Sequence, residues 1–435
     1  MRLRIRKWIA VLAADSRLHI NIVKYIVQWT LIGSVVGLLA GSASALFLYS
    51  LDAATEARMN FPWLLYFLPL GGALVSWVYW KYGKSSSKGN NLILEQMHQG
   101  SETVPFRMAP LVLGGTVLTH LFGGSAGREG TAVQMGASLS EWLGKLIRIG
   151  PIDRKILLMC GISAGFGSVF GTPLAGTVFG LEILAIGLVR YEALLPCFIA
   201  SLVANSVTTA WGIQHAHYAM GPVPELSAGV LLKVTAASIV FGLVSLCFSE
   251  LTHKLKQWFT NAIHNPIVKS FIGGCIIIIL TYALGTRDYL GLGLPLLKDS
   301  FEETVTPFAF LWKLIFTVIT LGTGFQGGEV TPLFVIGATL GHAIGPILGL
   351  YGPFLAALGL IAVFCGATNT PLACFVLGIE LFGSEAAIYM LLACIISYLF
   401  SGHTGIYTSQ RLGVPKNRSF DFPENVTLGS LKRKK

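Results

Sequence analysis

Charge is what this chain has least of. Asp, Glu, Lys and Arg make up 12% of its 435 residues, against about 25% in ordinary soluble domains. Apolar residues make up 53%, and mean hydropathy is +0.68. A soluble globular domain is excluded. Paired cysteines are missing too. Cys160, Cys197, Cys247, Cys275, Cys365, Cys374 and Cys394 include no Cys-x-x-Cys, and nearly all lie in apolar runs. They read as small buried residues, with neither a disulfide framework nor a zinc site. No His/Cys/Asp cluster has metal-ligand spacing, so no metal and no cofactor is expected.

What is present is a series of apolar runs of about twenty residues, the length that crosses a bilayer. They recur from residue 22 to residue 400, which predicts a polytopic, all-α membrane protein. Fifty glycines suit helices that pack closely and backbone that lines a cavity. The net charge of +10 does not point to nucleic acid. It collects in the first seven residues, in the last four, and at Lys81, Lys84 and Lys88. The positive-inside rule places those segments in the cytoplasm. Both termini inside would require an even number of complete spans. Residues 1–20 are basic with a short apolar run, and read as a surface-lying helix rather than a cleaved signal.

The stretch around which the chain is organised is residues 123–136, GGSAGREGTAVQMG. Arg128 and Glu129 sit there among small residues, between apolar segments. A charge at membrane depth is costly and marks a functional site by default. Glycines leave bare N–H groups at a helix start, which is an anion site. A carboxylate there can act as the resident anion and leave when protonated. The competing reading is a short solvated loop between two helices.

Elsewhere, Gly33, Gly37 and Gly41 form a close-packing helix face, for dimerisation or for packing within one chain. Asn90 follows Gly89 ahead of an apolar turn, as a helix cap would. Apolar segments are expected at residues 22–51, 61–80, 103–122, 156–188, 191–211, 226–258, 268–284, 308–323, 333–350, 354–382 and 386–400. His215 and His217 lie in a loop without an acidic or Cys partner, and read as solvated.

Two segments echo each other about 200 residues apart. Gly127-Arg128-Glu129-Gly130-Thr131 meets Gly327-Gly328-Glu329-Val330-Thr331. Gly136-Ala137-Ser138-Leu139 meets Gly337-Ala338-Thr339-Leu340. Thr172-Pro173-Leu174-Ala175, with Glu182, meets Thr370-Pro371-Leu372-Ala373, with Glu380. Repeats at this distance predict two inverted halves with an ion site at their interface. The halves are drawn at residues 21–212 and 213–410, followed by a short cytoplasmic tail, 411–435. Glu182 and Glu380 read as buried structural acids.

At these residues the chain resembles the CLC family of chloride channels and chloride/proton exchangers. The resemblance covers about residues 20–415. The family's Gly-Ser-Gly-Ile-Pro stretch matches Gly89-Asn90-Asn91-Leu92-Ile93. Its Gly-Arg/Lys-Glu-Gly-Pro stretch, with the gating glutamate, matches Gly127 to Thr131. Its Gly-x-Phe-x-Pro stretch matches Gly328-Glu329-Val330-Thr331-Pro332, and its late tyrosine matches Tyr407. The departures at Asn90, Thr131, Val330 and Thr331 look like the fluoride/proton antiporter branch. Ile183 stands where proton-coupled chloride exchangers carry an inner glutamate, which fits that branch and equally a chloride channel.

The resemblance implies a homodimer in the inner cell membrane with one pathway per subunit. Glu129 would be the gate and proton carrier; the repeat, rather than the resemblance, adds Glu329 as a further proton group. Asn90, Gly127, Arg128, Gly130, Val330, Thr331 and Tyr407 would bind the anion. Fluoride is small and strongly hydrated, so its site needs strong donors, which an Asn amide and the Thr and Tyr hydroxyls supply. The rival readings are a chloride channel or exchanger, and an intramembrane enzyme using Glu129 or Glu329 as a base.

The repeat itself generates a test. Two carboxylates near one midplane would titrate as a pair. Glu329→Gln, which keeps shape but cannot ionise, should leave a folded dimer that moves fluoride with much reduced proton transport. Wild-type proton flux in that variant would make Glu329 a structural group.

Overall fold

The computed structural model describes residues 2–99, 103–216, 218–302, 305–417 and 426–432, with backbone alone for 2–18, 99 and 432. Helix α1 (Arg2–Asn60) is unbroken, so the surface-lying helix expected over residues 1–20 continues into the first span. Most of its side chains lie outside the described residues, as does His217.

Helices α2 (Leu68–Val78), α3 (Asn90–Gln99), α4 (Met108–Leu121), α5 (Glu129–Leu146), α6 (Pro151–Phe170), α7 (Pro173–Glu182) and α8 (Leu194–Ala210) complete the first half. The second half holds α9 (Ala228–Ala262), α10 (Pro266–Leu284), α11 (Leu294–Glu302), α12 (Ala309–Gly322), α13 (Val330–Leu348), α14 (Gly352–Thr368), α15 (Pro371–Phe382) and α16 (Ala387–Phe400). Strand β1 (Ala185–Ile186) lies between α7 and α8, and β2 (Arg411–Leu412), β3 (Val426–Thr427) and the short α17 (Leu428–Lys432) follow α16 among the described residues. Strand β2 lies parallel to β1 and antiparallel to β3.

Two apolar runs expected to be continuous are each broken in two. Gly171 takes φ 75° between α6 and α7, and Asn369 takes φ 59° between α14 and α15. Each is a left-handed stop followed two residues on by a proline, Pro173 or Pro371, which starts a new helix but cannot extend the old one. The resulting half-helices are short. At 1.5 Å per residue the 10 residues of α7 and the 12 of α15 rise about 15 and about 18 Å, less than a hydrocarbon core.

Helices α4–α7 and α12–α15 repeat one design. A Cβ on Gly136 would strike the Gly161 carbonyl, and one on Gly337 the Gly359 carbonyl, so bare backbones cross at matching points. At the centre Gly127 and Gly328 form an antiparallel bridge, N–H to O 2.7 Å one way and 2.8 Å the other. The N-termini of α5 and α13 therefore meet head to head, as inverted halves require. The Gly33–Gly41 face packs within the chain: Cβ atoms on Gly33 and Gly37 would lie 3.1 and 2.7 Å from the Pro196 and Ala200 carbonyls of α8. A buried aromatic stack of Phe166, Phe179, Phe364 and Phe334 backs both central helices. Large apolar side chains stand exposed around the outside, such as Trp80 at 70% and Leu232 at 71%, the surface of a protein solvated by lipid.

Glu182 and Glu380 are reciprocal helix caps. Glu182 accepts from the Leu372 and Ala373 N–H groups at 3.2 and 2.9 Å, opening α15. Glu380 accepts from Leu174 and Ala175 at 2.9 and 2.7 Å, opening α7. Each half thus satisfies the orphan donors of the other. Glu182→Ala strands two buried N–H groups, at about 1–3 kcal/mol each. A thermal melt in detergent should show a clear drop for Glu182→Ala and a smaller one for Glu182→Gln; equal melts would leave the cap without structural weight.

Candidate functional site

The N-terminus of α13 lies buried opposite that of α5, so its first N–H groups have no water to turn to. They turn to Glu129. Its Oε1 accepts from Val330 N–H at 2.6 Å; its Oε2 accepts from Thr331 N–H at 3.1 Å, Thr331 Oγ1 at 2.9 Å and Arg128 N–H at 3.0 Å. The carboxylate, 1% exposed, is ringed by donors and sits as an anion sits in an anion site.

Bare backbone makes that approach feasible. A Cβ on Gly127 would lie 2.8 Å from Glu129 Oε2, and one on Gly328 would overlap Oε1. A Cβ on Gly130 would lie 3.2 Å from the Gly328 Cα and 3.3 Å from Asn90 Nδ2. The amide of Asn90 thus borders the residue that follows the gate, and its Oδ1 is buried without a partner.

The other expected residues divide. Val330 and Thr331 donate to the carboxylate. Arg128 gives its backbone N–H, while its guanidinium turns away, 5.9 Å from the centre of the Phe170 ring. Gly127 does not donate to the carboxylate as expected; its N–H is taken by Gly328. Glu329 precedes α13 but makes no capping bond; Glu129 caps α13 from the other half. Glu329 lies within electrostatic reach of Glu129 and of Lys256, near the end of α9. Tyr407 is buried, and both glutamates lie within electrostatic reach of its hydroxyl.

Sequence reasoning missed several neighbours. Thr131 Oγ1 pairs with Thr116 Oγ1 at 2.6 Å. Lys313 is wholly buried and donates to Ser125 Oγ at 2.9 Å and to the Tyr289 and Gly291 carbonyls at 3.1 and 2.8 Å. It ties α12 to the central stretch, and a lone lysine in the apolar run of residues 308–323 was the available signal. Gly123–Gly127 also spells Gly-x-Ser-x-Gly, a pattern around nucleophilic serines. Ser125 Oγ, however, pairs with Lys313 and Thr317, and the ring of His120 is held by the Thr116 and Ala126 carbonyls. No serine–histidine pair forms there. Among the described residues no group of three or more His, Cys, Asp or Glu could hold a metal.

Comparison with known proteins gives a consistent set. The family described as voltage gated chloride channel matches residues 71–402. A protein of Pseudomonas syringae pv. tomato named chloride/fluoride channel protein is 50% identical over 421 residues, 95% of this chain and 93% of that one. A crystal structure of a CLC-type fluoride/proton antiporter superposes with a TM-score of 0.86 at 36% identity, over 88% of this chain and 98% of that chain. A slow cyanobacterial chloride/proton antiporter shares the fold, with a TM-score of 0.75 at 22% identity over 86% and 94%.

Proposed function

The chain belongs to the voltage gated chloride channel family, and on that premise we propose that it exports fluoride in exchange for protons as a secondary active transporter. The observation that carries the reading is the Glu129 carboxylate on the N-terminus of α13. A group held by donors alone is released when it is protonated, because a neutral acid loses the charge-assisted part of each bond. Fluoride then takes the vacated donors: the Val330 and Thr331 N–H groups, the Thr331 hydroxyl and the neighbouring Asn90 amide. Anion and carboxylate compete for one place, so each anion that enters waits on a proton. Entry of protons down their gradient drives fluoride outward.

Two features support fluoride over chloride. The donors are short and numerous, which offsets the large cost of dehydrating fluoride. The 36%-identical structural relative is titled a fluoride/proton antiporter. Glu329 fits a proton path from the cytoplasm, since it has no capping bond and Lys256 stands near it. The protein would work as a homodimer in the inner membrane, one pathway per subunit, with both termini cytoplasmic.

Fluoride and chloride efflux from proteoliposomes, with pH recorded, tests the whole reading: fluoride should leave with coupled proton entry, and chloride should lag. Equal chloride flux would make it a chloride channel or exchanger. Glu129→Gln cannot ionise, so it should abolish proton movement; a variant that still pumps protons against a gradient when fluoride is supplied would remove Glu129 from the cycle. The pair Asn90→Ser with Thr331→Ala removes an amide and a hydroxyl donor. At about 0.5–1.5 kcal/mol per lost bond, or more in a dry site, the fluoride/chloride ratio should fall several-fold to roughly a hundredfold. An unchanged ratio would place both side chains outside the anion site.

A further inference from the structure

Tyr407 sits on irregular backbone after α16, where the preceding Ile406 N–H donates to the Ala367 carbonyl of α14 at 2.9 Å. No hydrogen bond to its hydroxyl is found among the described residues. The segment backs onto a cavity of about 200 Å³ lined by Glu95, His98, Ser409, Arg411 and Thr427. Ile406 and Tyr407 pack into the buried core, and the residues that follow the tyrosine are held by hydrogen bonds.

Those bonds come from two unexpected places. Asn91, the residue after Asn90, accepts the Ser409 N–H on its Oδ1 at 2.9 Å, and Glu95 one turn on accepts Ser409 Oγ at 3.1 Å. From the C-terminal segment, Leu428 N–H donates to Gln410 O at 3.0 Å and Gly429 N–H to Thr408 O at 2.8 Å. Leu428 is buried with Ile186 and Leu412, which anchors the donors. The Gln410 side chain donates onward to the Ile183 and Thr368 carbonyls, both at 3.0 Å. All three residues after the tyrosine are thus held from outside their own segment.

We propose that Asn91 and residues 426–429 are positioning elements for Tyr407, holding its hydroxyl in register with the Asn90 amide on the inner side of the anion path. Asn90 and Asn91 are then one device: the first side chain faces the anion, and the second fixes the partner across from it. The C-terminal segment takes part in coupling without touching an ion. Loosening either anchor lets the inner side open out of step with Glu129, so fluoride slips through without its proton. This rests on the reading of Tyr407 as an inner-side donor.

The test measures the proton-to-fluoride ratio in proteoliposomes for wild type, Tyr407→Phe, Asn91→Ala, Asn91→Asp and Gly429→Pro, each checked for a monodisperse folded peak. Proline is tolerated in the first turn of a helix; here it removes the N–H and sets its ring against the Thr408 carbonyl, so it breaks this anchor. Asn91→Ala and Gly429→Pro should lower the ratio about two- to tenfold, the scale of one lost hydrogen bond, with fluoride efflux kept. Asn91→Asp retains the acceptor and should stay near wild type. A merely structural asparagine would change the amount of folded protein and leave the ratio unmoved. If Tyr407→Phe uncouples while Asn91→Ala and Gly429→Pro do not, the anchors play no part and the proposal falls alone. If Tyr407→Phe keeps the wild-type ratio, the role of the tyrosine falls and the proposal with it.

Discussion

A helix that begins inside a membrane needs an anion at its start. The first N–H groups of α13 are buried, and each would cost more than a kilocalorie per mole, about 1–3, if left unmet. The Glu129 carboxylate meets two of them from the opposite half. Much else follows from that need. Residues 127, 130 and 328 are glycine because side chains there would strike the carboxylate, the facing backbone or the Asn90 amide. The carboxylate can leave only when something with the same charge and the same appetite for donors replaces it. Exchange is therefore built into the satisfaction of a helix end.

The central stretch was legible because intramembrane charge is rare and because the chain states the pattern twice. The pairing of Glu129 with Glu329, and of Glu182 with Glu380, is visible as spacing alone, and the first pair lies within electrostatic reach at the centre of the fold. The reading of Glu182 and Glu380 as structural acids holds: each carboxylate closes the start of a half-helix in the other repeat.

Other features were beyond a one-dimensional reading. Apolar runs hide helix breaks, because a left-handed Gly171 or Asn369 leaves hydropathy unchanged while it turns the chain. The backbone donors were assigned by proximity in sequence, yet Gly127 gives its N–H to Gly328, and Glu329 leaves its own helix uncapped. Donors that come from residue 330 to a carboxylate at residue 129 depend on how two halves fold together. The buried Lys313 and the second asparagine, Asn91, were plain in the sequence, but their partners lie far along the chain.

The mutual capping of α7 and α15, taken with the glycine bridge, bears on how such a machine spends its motion. Transporters that rock one half against the other need an interface that can slide. Here sliding would break two backbone bonds at the bridge and four more at the caps. The halves behave as a welded frame. A frame of this kind makes little demand on the lateral pressure or thickness of the lipid around it, and transport should pass between membranes of different composition with little loss.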